Sequence, residues 1–306
     1  MEEVRFLDIR IIFLYNKGEN NMGKKRYEDL TFTDDFMFCK VLSSNEDICK
    51  ELLELILGIR IRKIVILNIQ QEISITADAK GIRLDVYVED DDDSVYDIEM
   101  ETTKKKNLPK RSRYYQGMID LNIIERGERY ETLKKSFVIF LCLNDPFGKG
   151  LHVYTFENKC NQSPDLLLGD ETVKVFINAE GTADDISLEM AEFLRYLREG
   201  IGESSLVERI DQAVKKARDH VEWRTEYMSL QLKLYDIWDE ARDEGLEAGR
   251  EQGLLEGRLE GRLEGKMQQL FELVNDDLLS IEEAVRRTEL TREDFLTKMK
   301  EYIRCE

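Results

Sequence analysis

The stretch most able to do chemistry is GIRLDVYVEDDDDSVYDIEMETTKKKNLPKRSRYYQGMID, residues 81–120. Residues 83–89 and 95–103 alternate with period two, and an acidic turn over 89–93 separates them, which predicts a β-hairpin. Side chains two apart in a strand share a face, so Asp97, Glu99 and Glu101 lie together and the hairpin sets Asp85 across from them. Carboxylates crowded on one face repel one another unless a cation sits among them, and oxygen donors of this hardness suit Mg²⁺ or Mn²⁺. One or two such ions can activate water and stabilise the transition state of phosphodiester hydrolysis. The same spacing also fits the solvated polar face of an edge hairpin, and periodicity alone does not separate the two. The aspartates at 90–93 read as a solvated turn.

A basic window follows directly. Six of the ten residues from 104 to 113 are Lys or Arg, with no acid among them: Lys104, Lys105, Lys106, Lys110, Arg111 and Arg113. Tyr114, Tyr115 and Gln116 come next. Positive charge at a helix entry beside the carboxylates would hold phosphates, and the tyrosines could pack or hydrogen-bond. A charged helix start is the plainer account of the same residues. The chain as a whole carries 45 basic and 64 acidic residues, a formal charge of −19. That balance repels a polyanion, so a DNA partner needs a local basic patch of this kind.

Composition narrows the remaining classes. The 306 residues are enough for a sizeable core and one or two smaller modules. Five cysteines, at 39, 49, 142, 160 and 305, are odd in number, widely spaced and form no CxxC pair. This reads as a reduced, cytoplasmic chain with neither a zinc site nor a disulfide framework. Two histidines, His152 and His220, argue against a histidine-rich hydrolase. Every apolar run is too short or too charged to span a membrane, so no membrane partner is expected. Residues 1–21 make a poor signal segment, interrupted by Arg5, Asp8 and Arg10. With Met22 opening MGKKRYEDL, residues 1–29 read as an N-terminal tail, disordered or an upstream translation extension.

Around the hairpin, residues 30–58 are expected to be helical, with a first helix opened by the cap signal at Thr33–Asp35 and a second at 45–57, stopped by Gly58. A first strand is expected within 61–75, a helix at 108–126, and a buried central strand at 136–143, SFVIFLCL. The order is αβββαβ. A strand pair at 152–156 and 173–178 closes a core spanning 30–180. Helices at 187–199 and 204–243 form a helical arm over 181–243.

Residues 244–270 are a repeat, with Gly at 245, 249, 253, 257, 261 and 265. Each Gly costs about 1 kcal/mol relative to Ala in a helix, about 5–6 kcal/mol for the set. Small residues at this spacing let another backbone approach closely, although four residues turn an ideal helix about 400°, so the track winds around the rod. A self-association helix and a soluble linker both fit. Ser280-x-x-Glu283 and Thr291-x-x-Asp294 predict a small C-terminal helix pair within 271–306. Its mixed charge suits protein contact better than DNA reading.

The Asp on one strand, the acidic turn, the IEME strand at 98–101, the basic helix start with its Tyr pair, the DDFMFCKVL helix at 34–42 and the glycine repeat together resemble the PD-(D/E)XK nuclease family transposases, or recombination-promoting nucleases, over roughly residues 30–270. The resemblance implies a restriction-endonuclease-like α/β fold, an αβββαβ core with a helical C-terminal extension, which agrees with the element order given by the periodicities. It implies Asp85 and Glu99 as metal-binding carboxylates and a Mg²⁺- or Mn²⁺-dependent DNA endonuclease. Glu101 stands where the motif has lysine and this branch often has glutamine. That departure leaves three roles open: Glu101 as a further metal ligand, a migrated lysine such as Lys104 in its place, or a decayed site. Arg111 and Tyr115 match the family's recurrent Arg and Tyr, and Asp35 is the nearest match to an additional acidic group on the first helix. A decayed copy would be a DNA-binding or regulatory homo-oligomer, and with either role the chain is expected to associate through its C-terminal helices.

Overall fold

The run SFVIFLC is too apolar to face water on either side, and it forms a strand with all seven residues buried, β4 (Ser136–Cys142). The computed structural model describes residues 25–73 and 82–305. The elements ahead of β4 are helices α1 (Asp35–Ser44) and α2 (Glu46–Leu57), strands β1 (Ile64–Ile73), β2 (Ile82–Asp90) and β3 (Val95–Glu101), and helix α3 (Leu108–Ile123). After it come β5 (Val153–Phe156), β6 (Lys159–Cys160), β7 (Ser163–Leu167) and β8 (Thr172–Asn178). Helices α4 (Leu188–Glu199), α5 (Ser205–Arg218), α6 (Val221–Asn275), α7 (Ile281–Arg286) and α8 (Arg292–Cys305) complete the chain.

Six strands form one sheet in the order β1-β2-β3-β4-β8-β5. The pairs β3–β4 and β4–β8 are parallel, and the other three are antiparallel. The α/β core with αβββαβ order and a C-terminal helical extension is therefore the fold expected from the sequence. The two faces of the sheet carry different helices. Tyr96, Ile98 and Met100 of β3 point into a core with α1, α2, α4 and α5, so the helical arm packs beside the first two helices. Val95 of β3 belongs to the opposite core, where Leu108, Tyr115, Met118 and Ile119 of α3 pack over Val138, Phe140 and Cys142 of β4. Asp97, Glu99 and Glu101 share Val95's face and so lie under α3.

Local signals account for most helix ends. Gly58 stops α2 at φ +65°, a left-handed position favouring a residue without Cβ. Ser187 and Ser204 cap α4 and α5 by accepting from Met190 N at 3.2 Å and Val207 N at 3.3 Å. Pro109 sits in the first turn of α3, where its missing N–H costs nothing. Several expectations differ. The helix expected over 204–243 is two helices, α5 and α6. They break at Asp219–His220, where Ala217 O accepts from Tyr27 Oη at 2.6 Å and the Arg218 guanidinium donates to Leu30 O at 2.7 and 2.9 Å. Tyr27 is buried, so the packed chain begins ahead of the expected boundary at residue 30. The two-stranded arm β6–β7 has no counterpart among the expected strands. Residues 1–24 and 74–81, and with them most of the expected tail and the end of the first expected strand, lie outside the described residues.

The chain divides into two compact units, one through Leu234 and one from Tyr235. In the second, Leu270, Phe271, Ala284 and Phe295 form a small core. Ser280 caps α7 by accepting from Glu283 N at 3.3 Å. Thr291 and Asp294 form the expected capping pair, with Thr291 Oγ1 accepting from Asp294 N at 3.2 Å and donating to Asp294 Oδ2 at 2.6 Å. All six glycines of the repeat lie in α6, and a Cβ built on any of them meets no atom within 4 Å. Leu254, Leu255, Leu259 and Leu263 beside them are exposed. Among the described residues, no helix is long and apolar enough to cross a membrane.

Candidate active site

The site is made where the β2–β3 ladder opens. The two strands pair from Glu89–Val95 to Val86–Ile98, and the described register ends there. Beyond it, side chains take up backbone donors. Asp85 N donates to Glu99 Oε1 at 3.0 Å, and Met100 N donates to Asp85 Oδ2 at 3.3 Å. Asp85 and Glu99 thus hold each other's strands at the mouth of the hairpin.

Helix α3 lays cations over this row. Arg111 Nη1 donates to Glu101 Oε2 at 2.6 Å, while Nη2 reaches Glu99 Oε2 at 3.4 Å and donates to Tyr115 Oη at 3.1 Å. Arg111 and Tyr115 are four apart, one helical turn, so both reach the same spot. The guanidinium also lies over the rings of Tyr115 and Phe140, 5.3 and 5.2 Å from their centroids. Lys105 Nζ is 3.4 Å from Glu101 Oε2, and its side chain is only 10% exposed. Thr103 completes the set around Glu101, donating from Oγ1 at 2.7 Å and from N at 3.2 Å to Oε1.

These partners divide the carboxylates into two kinds. Burial pushes Glu101 upward, but Thr103, Lys105 and Arg111 together outweigh it and hold the carboxyl below its ordinary value. Glu99 is driven well up, by burial first and then by Asp85 and Asp97, with Arg111 opposing. Asp97 is also driven well up, by burial and then by Asp85. It is 0% exposed, and no donor reaches either of its oxygens among the described residues. The polar group beside it is the Glu99 carboxyl, another acceptor, and the two hydrogen-bond only when one carries a proton. Two cations, Lys105 and Arg111, stand over Glu101, and Arg111 also reaches Glu99.

The sequence-predicted residues sort accordingly. Asp85, Glu99, Glu101, Arg111 and Tyr115 come together. The lysine beside the carboxylates is Lys105, whereas Lys104 is exposed. Lys104, Lys106, Lys110 and Arg113 face solvent, so the basic window separates into two inward cations and four outward ones. Asp35 is half-buried at the start of α1, whose apolar residues belong to the opposite core, and it is not among the groups that chiefly shift Asp97, Glu99 or Glu101. Asp97 was placed on this face by the two-residue spacing, but nothing in the sequence marked it as the most isolated carboxylate of the four.

Among the described residues, no group of three or more His, Cys, Asp or Glu side chains is placed to hold a metal ion. The donor chemistry nonetheless suits a hard divalent ion, because Asp97 is a buried carboxylate with no cation or donor of its own.

Residues 32–162 match the family model described as PD-(D/E)XK nuclease family transposase. Comparison with curated proteins and with solved structures gave no match.

Proposed function

We propose that this chain, with a PD-(D/E)XK nuclease family transposase domain over residues 32–162, is a divalent-cation-dependent DNA endonuclease. The observation that carries the reading is the meeting of Asp85 and Glu99 at the open end of the β2–β3 ladder, under the cations of α3. Asp85 and Glu99 would hold Mg²⁺ or Mn²⁺, which when bound supplies an activated water and neutralises charge on the scissile phosphate. Glu101 keeps Arg111 and Lys105 in place, so the positive charge that a motif lysine brings comes from these two side chains instead. Tyr115 fixes the guanidinium through its hydroxyl. The outward row of Lys104, Lys106, Lys110 and Arg113 draws the DNA backbone to the helix entry, against the net repulsion of the whole chain. Water attacks the phosphodiester directly, with no covalent intermediate. Cys49, Cys142 and Cys160 are reduced thiols, which supports the cytoplasm as the place of action. The family description names a transposase, which favours the rearrangement of mobile DNA as the setting.

A second reading rests on the same ion pairs. Arg111 engages both Glu99 and Glu101, and Lys105 adds to Glu101, an arrangement that can close a site as well as serve it. In that reading the chain is a decayed nuclease fold that binds DNA as a homo-oligomer. Supercoiled plasmid incubated with Mg²⁺ or Mn²⁺ separates them. Cutting that needs the metal and is lost in both Asp85→Ala and Glu99→Ala supports the enzyme. No cutting, or equal cutting by the variants, leaves the binding protein.

A further inference from the structure

The candidate site makes no use of the repeat in α6. Residues 255–266 read LEGR, LEGR, LEGK, so each kind of side chain recurs every fourth residue of the helix. Glu256, Glu260 and Glu264 form one column, and Arg258, Arg262 and Lys266 form another. Residues four apart are neighbours on a helix surface, so each column stacks like charges. No Glu of the repeat has a base three or four residues away on either side. Among the described residues, these six side chains form no ion pair. Leu255, Leu259 and Leu263 are 60%, 54% and 64% exposed. Each residue turns a helix by about 100°, which puts a Glu about 100° to one side of each Leu and a base about 60° to the other. The exposed leucines thus run between an acidic column and a basic one.

We propose that this face binds the same face of a second copy of the chain, with the two helices parallel. Charge complementarity selects both the occupant and the direction. A two-fold axis along the helices sets each acidic column opposite the other copy's basic column, on both sides of the leucines. The antiparallel arrangement sets acid against acid and base against base, which opposes association. Columns that recur every fourth residue wind by about 40° per repeat, and two sets of them interdigitate at a crossing angle of about −50°. A contact at that angle is short, in keeping with the ~12 Å of helix that the three leucines span. The pairing holds whether or not the chain cuts DNA.

The test uses the full chain and sedimentation equilibrium. An acidic variant carries Arg258→Glu, Arg262→Glu and Lys266→Glu, and a basic variant carries Glu256→Arg, Glu260→Arg and Glu264→Arg. All six positions are exposed, and circular dichroism checks that helix content is kept. The expected result is a wild-type dimer, self-association at least about tenfold weaker in each variant alone, and a heterodimer on mixing the two variants. The direction is read from Leu255→Cys and Leu263→Cys under mild oxidation, on non-reducing gels, with the wild type as control for the native cysteines. Parallel pairing cross-links Leu255→Cys to itself. A cross-link that forms only when Leu255→Cys and Leu263→Cys are mixed would show antiparallel pairing and overturn the proposed direction. A monomeric wild type, or charge variants that associate as the wild type does, would overturn the interface itself.

Discussion

Replacing Asp97 with asparagine should stabilise the metal-free protein, and the gain should depend on pH. The side chain is 0% exposed with no donor on either oxygen among the described residues. Asparagine keeps its shape, cannot ionise and brings an N–H₂ that can donate to the Glu99 carboxyl. An unsatisfied buried polar group costs about 1–3 kcal/mol, which sets the expected gain at pH 8. At about 2–4 °C per kcal/mol for a unit of this size, the melting temperature should rise by roughly 2–12 °C. The sign follows from proton linkage. Burial and Asp85 raise the Asp97 carboxyl well above its ordinary value in the folded state. The unfolded chain therefore releases this proton first as pH rises, and wild-type stability falls across the interval between the unfolded and folded values. The slope is about 1.4 kcal/mol per pH unit for one uncoupled proton. Below the unfolded value, near pH ~4, the contribution is constant, so the advantage of Asp97→Asn should be small at pH 5 and grow toward pH 8. Thermal melts followed by circular dichroism in chelator, at several pH values across that range, measure this directly. A variant less stable than wild type at pH 8, or a gain that does not change with pH, would refute the picture of an isolated buried acid.

Arg111→Gln removes the guanidinium shared by Glu99, Glu101 and Tyr115 and strands two buried carboxylates. It should cost about 3–5 kcal/mol, read as a lower midpoint in urea, and an unchanged midpoint would mean the pairs are not formed. Replacing Lys104, Lys106, Lys110 and Arg113 with alanine should weaken binding of duplexes of any sequence and reduce the slope of log affinity against log salt by about 0.9 for each phosphate no longer neutralised. Fluorescence anisotropy across salt concentrations would show this, and an unaltered slope would remove the row from the DNA surface. Gly253→Ala, Gly257→Ala and Gly261→Ala together meet open space and should stabilise α6 by about 1 kcal/mol each. If the glycines serve close pairing of helices, sedimentation velocity should show association weakened despite the added helix; if they serve as a linker, association should stay the same.

The hairpin and its acidic face were legible because a strand has period two, so the spacing of Asp97, Glu99 and Glu101 alone fixes which side they share. Gly58 and the serine and threonine caps were legible for a similar reason, since each acts within one turn of chain. Lys105 was not distinguishable from Lys104. Both belong to one basic run, and only the path between β3 and α3 turns one inward to Glu101. The break between α5 and α6 carries no Gly or Pro. It is set by Tyr27 and Leu30, nearly two hundred residues away, docking on Ala217 and Arg218. The isolation of Asp97 is also a tertiary property. Its neighbours in sequence are as acidic as it is, and only the placing of Arg111 and Lys105 at the far end of the row leaves it without a partner among the described residues.

Everything proposed for the site depends on Glu99 working on a metal that cuts DNA. The rate of supercoiled plasmid cleavage as a function of Mg²⁺ concentration reads this out, with the wild type beside Glu99→Gln, which keeps the shape and an oxygen for Arg111. The rate should be zero in chelator, saturate with Mg²⁺ and fall at least about a hundredfold in the variant, beyond the usual loss from an outer-shell partner. Cleavage that ignores Mg²⁺, or that proceeds equally in Glu99→Gln, would contradict that role.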